Sequence, residues 1–223
     1  MNQTGVLLLL FLVPVLLLIF YYRSQSTSQP TKKQCMVRIL PNILTKEECT
    51  SIVQQACPQL QQSLVYKKGG SEMRRDARVS SQAWMNATDH PALQKLSALA
   101  CTLTGKPVSH QEKIQIVKYS TGGFFQPHYD PCNGNAEYCQ SFTQSGGQRH
   151  ATLLVYLNDD FEGGHTRFPL ANVDIEPKCG WGILFFSTDG AQKVLKHSQH
   201  GGDPVTKGEK WIANVWVRHQ PVQ

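Results

Sequence analysis

The sequence predicts a mainly β domain (α+β overall), with a pair of helices flanking a sandwich or barrel of short strands. Three observations carry this. Helical periodicity is confined to two segments before residue 105. From residue 114 onward it gives way to short runs rich in β-branched and aromatic residues. Clusters of Gly, Pro and Asp separate those runs. A length of 223 residues allows one domain plus an appendage. With 40% apolar and 17% charged residues the chain can bury a core and is not a disordered polyelectrolyte. Seven cysteines are too few for a disulfide scaffold. The formal charge of +6 is mild, and no basic stripe interleaves with aromatics, so nucleic acid is not expected as a partner.

The appendage comes first. Residues 5–22, GVLLLLFLVPVLLLIFYY, carry no charge. At ~1.5 Å per residue they would span about 27 Å as a helix, enough for a thin bilayer. Residues 1–23 therefore read as one transmembrane helix, a membrane anchor. A cleaved signal peptide is the rival reading, but the segment before the run lacks Lys or Arg and no A-x-A site follows it. Residues 24–35 read as a polar linker and residues 36–220 as the folded domain. Arg23, Lys32 and Lys33 all follow the span, which by the positive-inside tendency favours a cytoplasmic domain.

Within the domain, Met36 to Leu40 is a short apolar run ended by Pro41. Thr45-Lys46-Glu47-Glu48 has the capping-box form and opens a helix that Pro58 closes. Pro91 to Thr104 is a second helix, with Pro91 in its first turn and Gly105 as its C-terminal cap. Ile114–Tyr119, Thr152–Leu157, Gly182–Ser187 and Trp211–Val217 read as strands.

Chemistry concentrates among those strands. On an extended chain His128 and Asp130 project to one face, and His200 follows Asp130 by 70 residues. Two imidazoles and one carboxylate with open coordination positions form the facial triad of non-heme Fe(II) oxygenases, whereas a structural zinc site closes its fourth position and favours Cys. Lys210 lies ten residues beyond His200 across a turn-prone stretch. In the strand that follows, Lys210, Trp216 and Arg218 share a face, opposite Trp211, Ala213 and Val215. A buried cation beside a metal calls for an anion.

These residues fall in four ordered motifs. They are Tyr119-x-x-Gly122-Gly123-x-Phe125-x-Pro127-His128-Tyr129-Asp130; Arg149-His150-Ala151-Thr152 running to Asn158; Gly163-Gly164-His165-Thr166-Arg167-Phe168-Pro169; and His200-Gly201-x-x-Pro204-Val205-x-x-Gly208-x-Lys210-Trp211. The set resembles the prolyl 4-hydroxylase branch of the Fe(II)/2-oxoglutarate dioxygenases from about Met36 to Arg218. The resemblance implies a double-stranded β-helix, or jelly-roll, core. It implies hydroxylation of prolyl residues in peptide substrates, with O2 and 2-oxoglutarate as cosubstrates, Fe(II), and ascorbate as auxiliary reductant. It also implies roles: His128, Asp130 and His200 for the metal, and Lys210, Tyr119 and Thr166 for 2-oxoglutarate with Trp216 beside it. Arg78, Ser80, Arg149 and Arg218 would line the peptide groove. Position 165 departs from the family, which commonly has Glu there; His165 is expected to face outward. Position 218 departs too, being His in some relatives. His197 rivals His200 as a ligand, but the ten-residue interval to Lys210 selects His200.

Cys132 and Cys139 flank a short loop after the metal strand and could bridge if it folds back, while Cys49 and Cys57 on one helix lie too far apart. A bridge would suit an oxidising compartment. The resemblance likewise implies a type II membrane protein of the endoplasmic reticulum with a lumenal catalytic domain, against the charge-based orientation. An oxygenase acting on another substrate and a catalytically inactive cupin-like binding protein are the alternatives.

Overall fold

A computed structural model describes residues 37–67, 70–72, 76–134 and 136–223. The apolar run 5–22 and the linker 24–35 lie outside these residues. Among the described residues no helix is long and apolar enough to cross a membrane.

The chain opens with strand β1 (Val37–Leu40), helix α1 (Lys46–Ala56), strand β2 (Gln61–Gln62) and the hairpin β3 (Val65–Lys67) and β4 (Gly70–Glu72). Strands β5 (Arg78–Val79) and β6 (Ser81–Met85) lead into α2 (Pro91–Thr104). Then come β7 (Ile114–Ser120), β8 (Phe124–His128), α3 (Ala136–Thr143) and β9 (Arg149–Tyr156). The remainder is β10 (Glu162–Gly163), β11 (Thr166–Phe168), β12 (Val173–Ile175), β13 (Gly182–Phe186), β14 (His200–Gly202), β15 (Val205–Lys207) and β16 (Glu209–Arg218).

Both expected helices form for the expected reasons. The Thr45 hydroxyl accepts from the Glu48 N–H at 3.2 Å while the Glu48 carboxylate accepts from the Thr45 N–H at 2.8 Å, so two otherwise unpaired donors of α1 are satisfied. Pro91 occupies the first turn of α2, and Gly105 ends it in the left-handed conformation at φ +69°. Helix α3 and strand β6 were not evident from periodicity. The Cys132–Cys139 disulfide is present and ties α3 to the loop after β8, while Cys49 and Cys57 are both free.

Twelve of the strands build two antiparallel sheets, and β10-β15 and β3-β4 form separate two-stranded pairs. The larger has the order β1-β13-β9-β16-β7-β6-β2 and the smaller β12-β11-β14-β8-β5. One face of the larger sheet buries Ile114, Ile116, Leu153, Val155, Trp211 and Val215 against apolar residues of α1 and α2. Its other face packs on the smaller sheet, with Val117, Leu154, Tyr156 and Phe185 meeting Phe168 and Ile175. The strand pattern predicts such a sandwich with helices on its outer face, and the layout is consistent with the jelly-roll core that the resemblance implies.

The strand carrying Lys210 is buried on both faces. Trp211, Ala213, Val215 and Val217 face the helices, whereas Lys210, Ile212, Asn214 and Trp216 face the smaller sheet. His200 opens β14 and pairs directly with His128 of β8. Residues far apart in the chain thereby meet at one end of the space between the sheets.

Candidate active site

The metal-ligand candidates converge. One ligand atom from each of His128, Asp130 and His200 lies within 4.8 Å of the other two, the sole such group of three or more among the described residues. His128 Nε2 is 3.7 Å from Asp130 Oδ1, and His200 Nε2 is 3.8 Å from Asp130 Oδ2. Each imidazole is oriented by its other nitrogen: His128 Nδ1 lies 2.9 Å from the Gln126 carbonyl and His200 Nδ1 2.9 Å from the Ser198 carbonyl. A carbonyl only accepts, so Nδ1 carries a proton, and Nε2, on the carboxylate side, is the nitrogen placed to ligate.

Asp130 is buried, and the Thr152 hydroxyl donates to its Oδ2 at 2.5 Å. Burial works to raise its pKa, yet the neighbouring imidazoles and the Arg149 guanidinium hold it well below the usual carboxylate range. Burial pushes His200 down to about 4, only partly offset by Asp130, which leaves it neutral and able to ligate. Two imidazole nitrogens and one carboxylate fit a divalent transition metal, and iron(II) in particular. His165 instead pairs with Asp174 at 2.9 Å on the outside, and His197 bonds the Leu170 carbonyl at 2.6 Å; neither joins the cluster.

Lys210 projects into an inner cavity between the sheets, lined also by the three ligand candidates and by Tyr119, Thr166 and Trp216. Its ammonium lies over the rings of Tyr119 and Tyr156, 5.6 and 5.5 Å from their centroids, and donates to the Gly164 carbonyl at 2.6 Å. Burial lowers its pKa to about 7, with Asp203 opposing. The Thr166 hydroxyl accepts from Tyr156 at 2.7 Å, and the Tyr119 hydroxyl pairs with Arg78. Tyr156 thus supports the cavity from behind, through Thr166 and Lys210, without lining it, a residue that sequence reasoning passed over as core.

The inner cavity opens at the ligand cluster into an outer groove of about 860 Å³. Arg78 and Arg149 line the groove with Trp84, Tyr129, Tyr138 and Trp216. Ser80 lies behind Arg78, accepting from its Nε at 2.7 Å and donating to Ser63 at 2.8 Å, so it supports the groove without lining it. Arg218 stands in a neighbouring recess. Its Nε bonds Glu112 at 2.7 Å, and the same carboxylate takes both arms of Arg149 at 2.7 and 2.8 Å. Burial pushes Glu112 up, but the two guanidinium groups outweigh it and hold the carboxyl below its ordinary value. The Arg149 guanidinium carbon is 3.5 Å from the Trp216 ring centroid, and Trp216 packs on Trp84 at 5.8 Å.

Thr152 and Glu112 were missed by sequence reasoning. The single small polar side chain in the run Thr152–Leu157, on the face shared with Leu154 and Tyr156, was the available signal for Thr152. Glu112 offered none, because its partners lie 37 and 106 residues away.

The 2OG-Fe(II) oxygenase superfamily model matches residues 114–218. A relative in Acanthamoeba polyphaga mimivirus, assigned as a prolyl 4-hydroxylase, is 34% identical over 82% of this chain and 74% of its own. Prolyl 4-hydroxylase 1 of Arabidopsis thaliana is 33% identical over 82% of this chain and 68% of its own. Among solved structures, the viral collagen prolyl hydroxylase of Paramecium bursaria Chlorella virus 1, in complex with 2-oxoglutarate, superposes with a TM-score of 0.66 at 29% identity, covering 82% of this chain and 96% of that one. The chain belongs to the prolyl 4-hydroxylase branch of the Fe(II)- and 2-oxoglutarate-dependent dioxygenases.

Proposed function

We propose that this protein hydroxylates prolyl residues of peptide or protein substrates at C4. The single observation that carries the reading is the cluster of His128, Asp130 and His200 at the junction of an inner cavity holding a buried ammonium and an outer aromatic groove. When bound, Fe(II) with 2-oxoglutarate supplies the oxidative decarboxylation to succinate and CO2 that drives hydroxyl insertion, with O2 as co-reactant and ascorbate keeping the iron reduced.

The residues divide that work. Nε2 of His128, a carboxylate oxygen of Asp130 and Nε2 of His200 would hold the metal and leave its remaining positions to cosubstrates. Thr152 would fix the plane of the Asp130 carboxylate, and the Gln126 and Ser198 carbonyls fix the imidazole tautomers. Lys210 would pair with the distal carboxylate of 2-oxoglutarate, with Tyr119 and Thr166 offering hydroxyls beside it. Trp216 borders both cavities, so one ring contacts the cosubstrate side and the peptide side. Aromatic walls suit a proline-rich peptide in an extended, polyproline-II-like form.

For location we propose a lumenal catalytic domain tethered to the endoplasmic reticulum membrane through residues 5–22. The apolar run supports a tether, and the Cys132–Cys139 disulfide supports an oxidising compartment.

The reaction is tested by mass spectrometry on proline-rich peptides incubated with Fe(II), 2-oxoglutarate and ascorbate. A shift of about 16 mass units with matching succinate release is expected from oxygen insertion, and full turnover by His128→Ala would overturn the ligand assignment. Thr152→Val should weaken Fe(II) binding about 10- to 100-fold in an anaerobic titration while Thr152→Ser retains it; equal affinities would remove Thr152 from the metal's support. Because Lys210 loses its proton near pH 7, 2-oxoglutarate affinity should be flat below that pH and fall by up to about tenfold per pH unit above it. A flat profile from pH 6 to 8.5 would overturn the lowered pKa, and a pH-dependent fall that persists in Lys210→Met would separate Lys210 from the cosubstrate. In intact microsomes the domain should resist added protease until detergent opens the vesicle; digestion without detergent would place it outside the lumen.

A further inference from the structure

Three side-chain amides cross the site-facing side of the larger sheet and form one hydrogen-bonded row. Asn214 on β16 and Gln115 on β7 are direct cross-strand partners, and Trp84 on β6 stands opposite Gln115 on its other side. Gln82, two residues before Trp84, shares that face. Asn214 Nδ2 donates to Gln115 Oε1 at 3.2 Å, and Gln115 Nε2 donates to Gln82 Oε1 at 2.6 Å. Gln115 and Asn214 are buried, at 2% and 8% exposure. Buried amides on successive strands are costly unless each finds partners, so such a row is a built feature rather than a solvated surface.

Its placement is informative. Asn214 lines the inner cavity, Gln115 lines both cavities, and Gln82 lines the outer groove. The row therefore runs from the cosubstrate side of the site to the peptide side. The direction of donation is uniform along it: each amide nitrogen gives to the next oxygen. Gln82 receives at Oε1, and its Nε2 has no partner among the described residues. The free end of the row is thus a hydrogen-bond donor at the groove wall.

The substrate's chemistry asks for that donor. A proline lacks a backbone N–H, and a polyproline-II segment forms no internal hydrogen bonds, so its carbonyls remain open acceptors. Aromatic faces such as Trp84, which is 41% exposed, can pack on pyrrolidine rings but cannot fix the register of the peptide along the groove. We propose that Gln82 hydrogen-bonds a backbone carbonyl of the bound peptide beside the target prolyl, and that Gln115 and Asn214 are positioning residues that act through it. The inference rests on the prolyl-peptide reading above and deepens it by naming what fixes the peptide's register.

The test is a double-substitution cycle on the full chain, read by quenching of tryptophan fluorescence with a ten-residue oligoproline as the probe. Gln82→Met keeps the side chain's length and removes the donor. It should weaken oligoproline binding about tenfold, roughly the worth of one hydrogen bond. Gln115→Met should weaken it to a similar degree, and the double variant no further, because both act on one contact. In turnover the peptide KM should rise in each variant while kcat and the KM for 2-oxoglutarate stay level. Wild-type binding by Gln82→Met, additive effects in the double variant, or a parallel rise in the 2-oxoglutarate KM would each overturn the proposal. Should Gln115→Met fail to fold, Gln82→Met at the half-buried end of the row decides alone. A wild-type protein that binds no oligoproline would overturn the prolyl-peptide reading as well, whereas binding that ignores Gln82 overturns the inference only.

Discussion

The rest of the structure serves one buried carboxylate. Asp130 sits where the two cavities meet, ionised, with little access to water. An ionised group so placed is unfavourable by several kcal/mol unless charge and hydrogen bonds compensate it. The two imidazoles facing it have their Nδ1 protons committed to carbonyls, so it is Nε2 that each turns toward the carboxylate. Thr152 provides one hydrogen bond, and an Arg149 nitrogen reaches only the Asp130 backbone carbonyl, at 3.4 Å. A divalent cation answers all of these at once, because it takes both lone pairs and meets the carboxylate's charge. The donor set is thus chosen for a metal before any cosubstrate is considered.

Bringing that set together is the task of the smaller sheet. His128 and His200 are direct partners across β8 and β14, and their rings stand 4.5 Å apart. Such closeness needs a backbone without side chains beside it. A Cβ on Gly201 would meet the Phe125 carbonyl at 2.9 Å, so glycine follows His200 for steric reasons. The larger sheet grades the chemistry facing this centre. Along β16 the inward residues run from cationic Lys210 through apolar Ile212 and amide Asn214 to aromatic Trp216. A dicarboxylate cosubstrate and an uncharged peptide need opposite ends of such a gradient.

How far this was legible in the sequence depended on the kind of signal. His128, Asp130, His200 and Lys210 stood out because their chemistry is improbable in strands unless used, and the family's motifs fixed their order. The four expected strands and the helix Pro91–Thr104 followed from apolar runs with clear punctuation. Strand β6 did not, because its sequence SQAWM places Gln82 and Trp84 on the groove face and breaks the apolar alternation there. The eight-residue helix α3 begins inside the disulfide loop and runs past Cys139, too short for a period to declare itself. Arg149 was carried only by resemblance. A register shift between β9 and β16 at Val217/Arg218 pairs Arg149 with Arg218 where regular alternation would use His150. No period-two reading can foresee such a shift.

That shift also decides what a peptide would meet. Two guanidinium groups beside a groove would ordinarily create a field selecting acidic partners. Here Glu112 bridges them, and Arg149 lies flat on Trp216, its charge engaged with the carboxylate at 2.7 and 2.8 Å. The arrangement stiffens the ring it covers, since a cation stacked on one face and Trp84 packed against the ring leave the indole little freedom to rotate. Much of the arginines' charge is therefore spent inside the wall, on orienting Trp216, and less is left to attract anions. Selectivity in a groove of this kind falls to the shape of its aromatic surfaces and to the few directed hydrogen-bond groups between them. For a substrate whose own backbone supplies acceptors and few donors, the direction in which those wall groups point matters more than the net charge behind them.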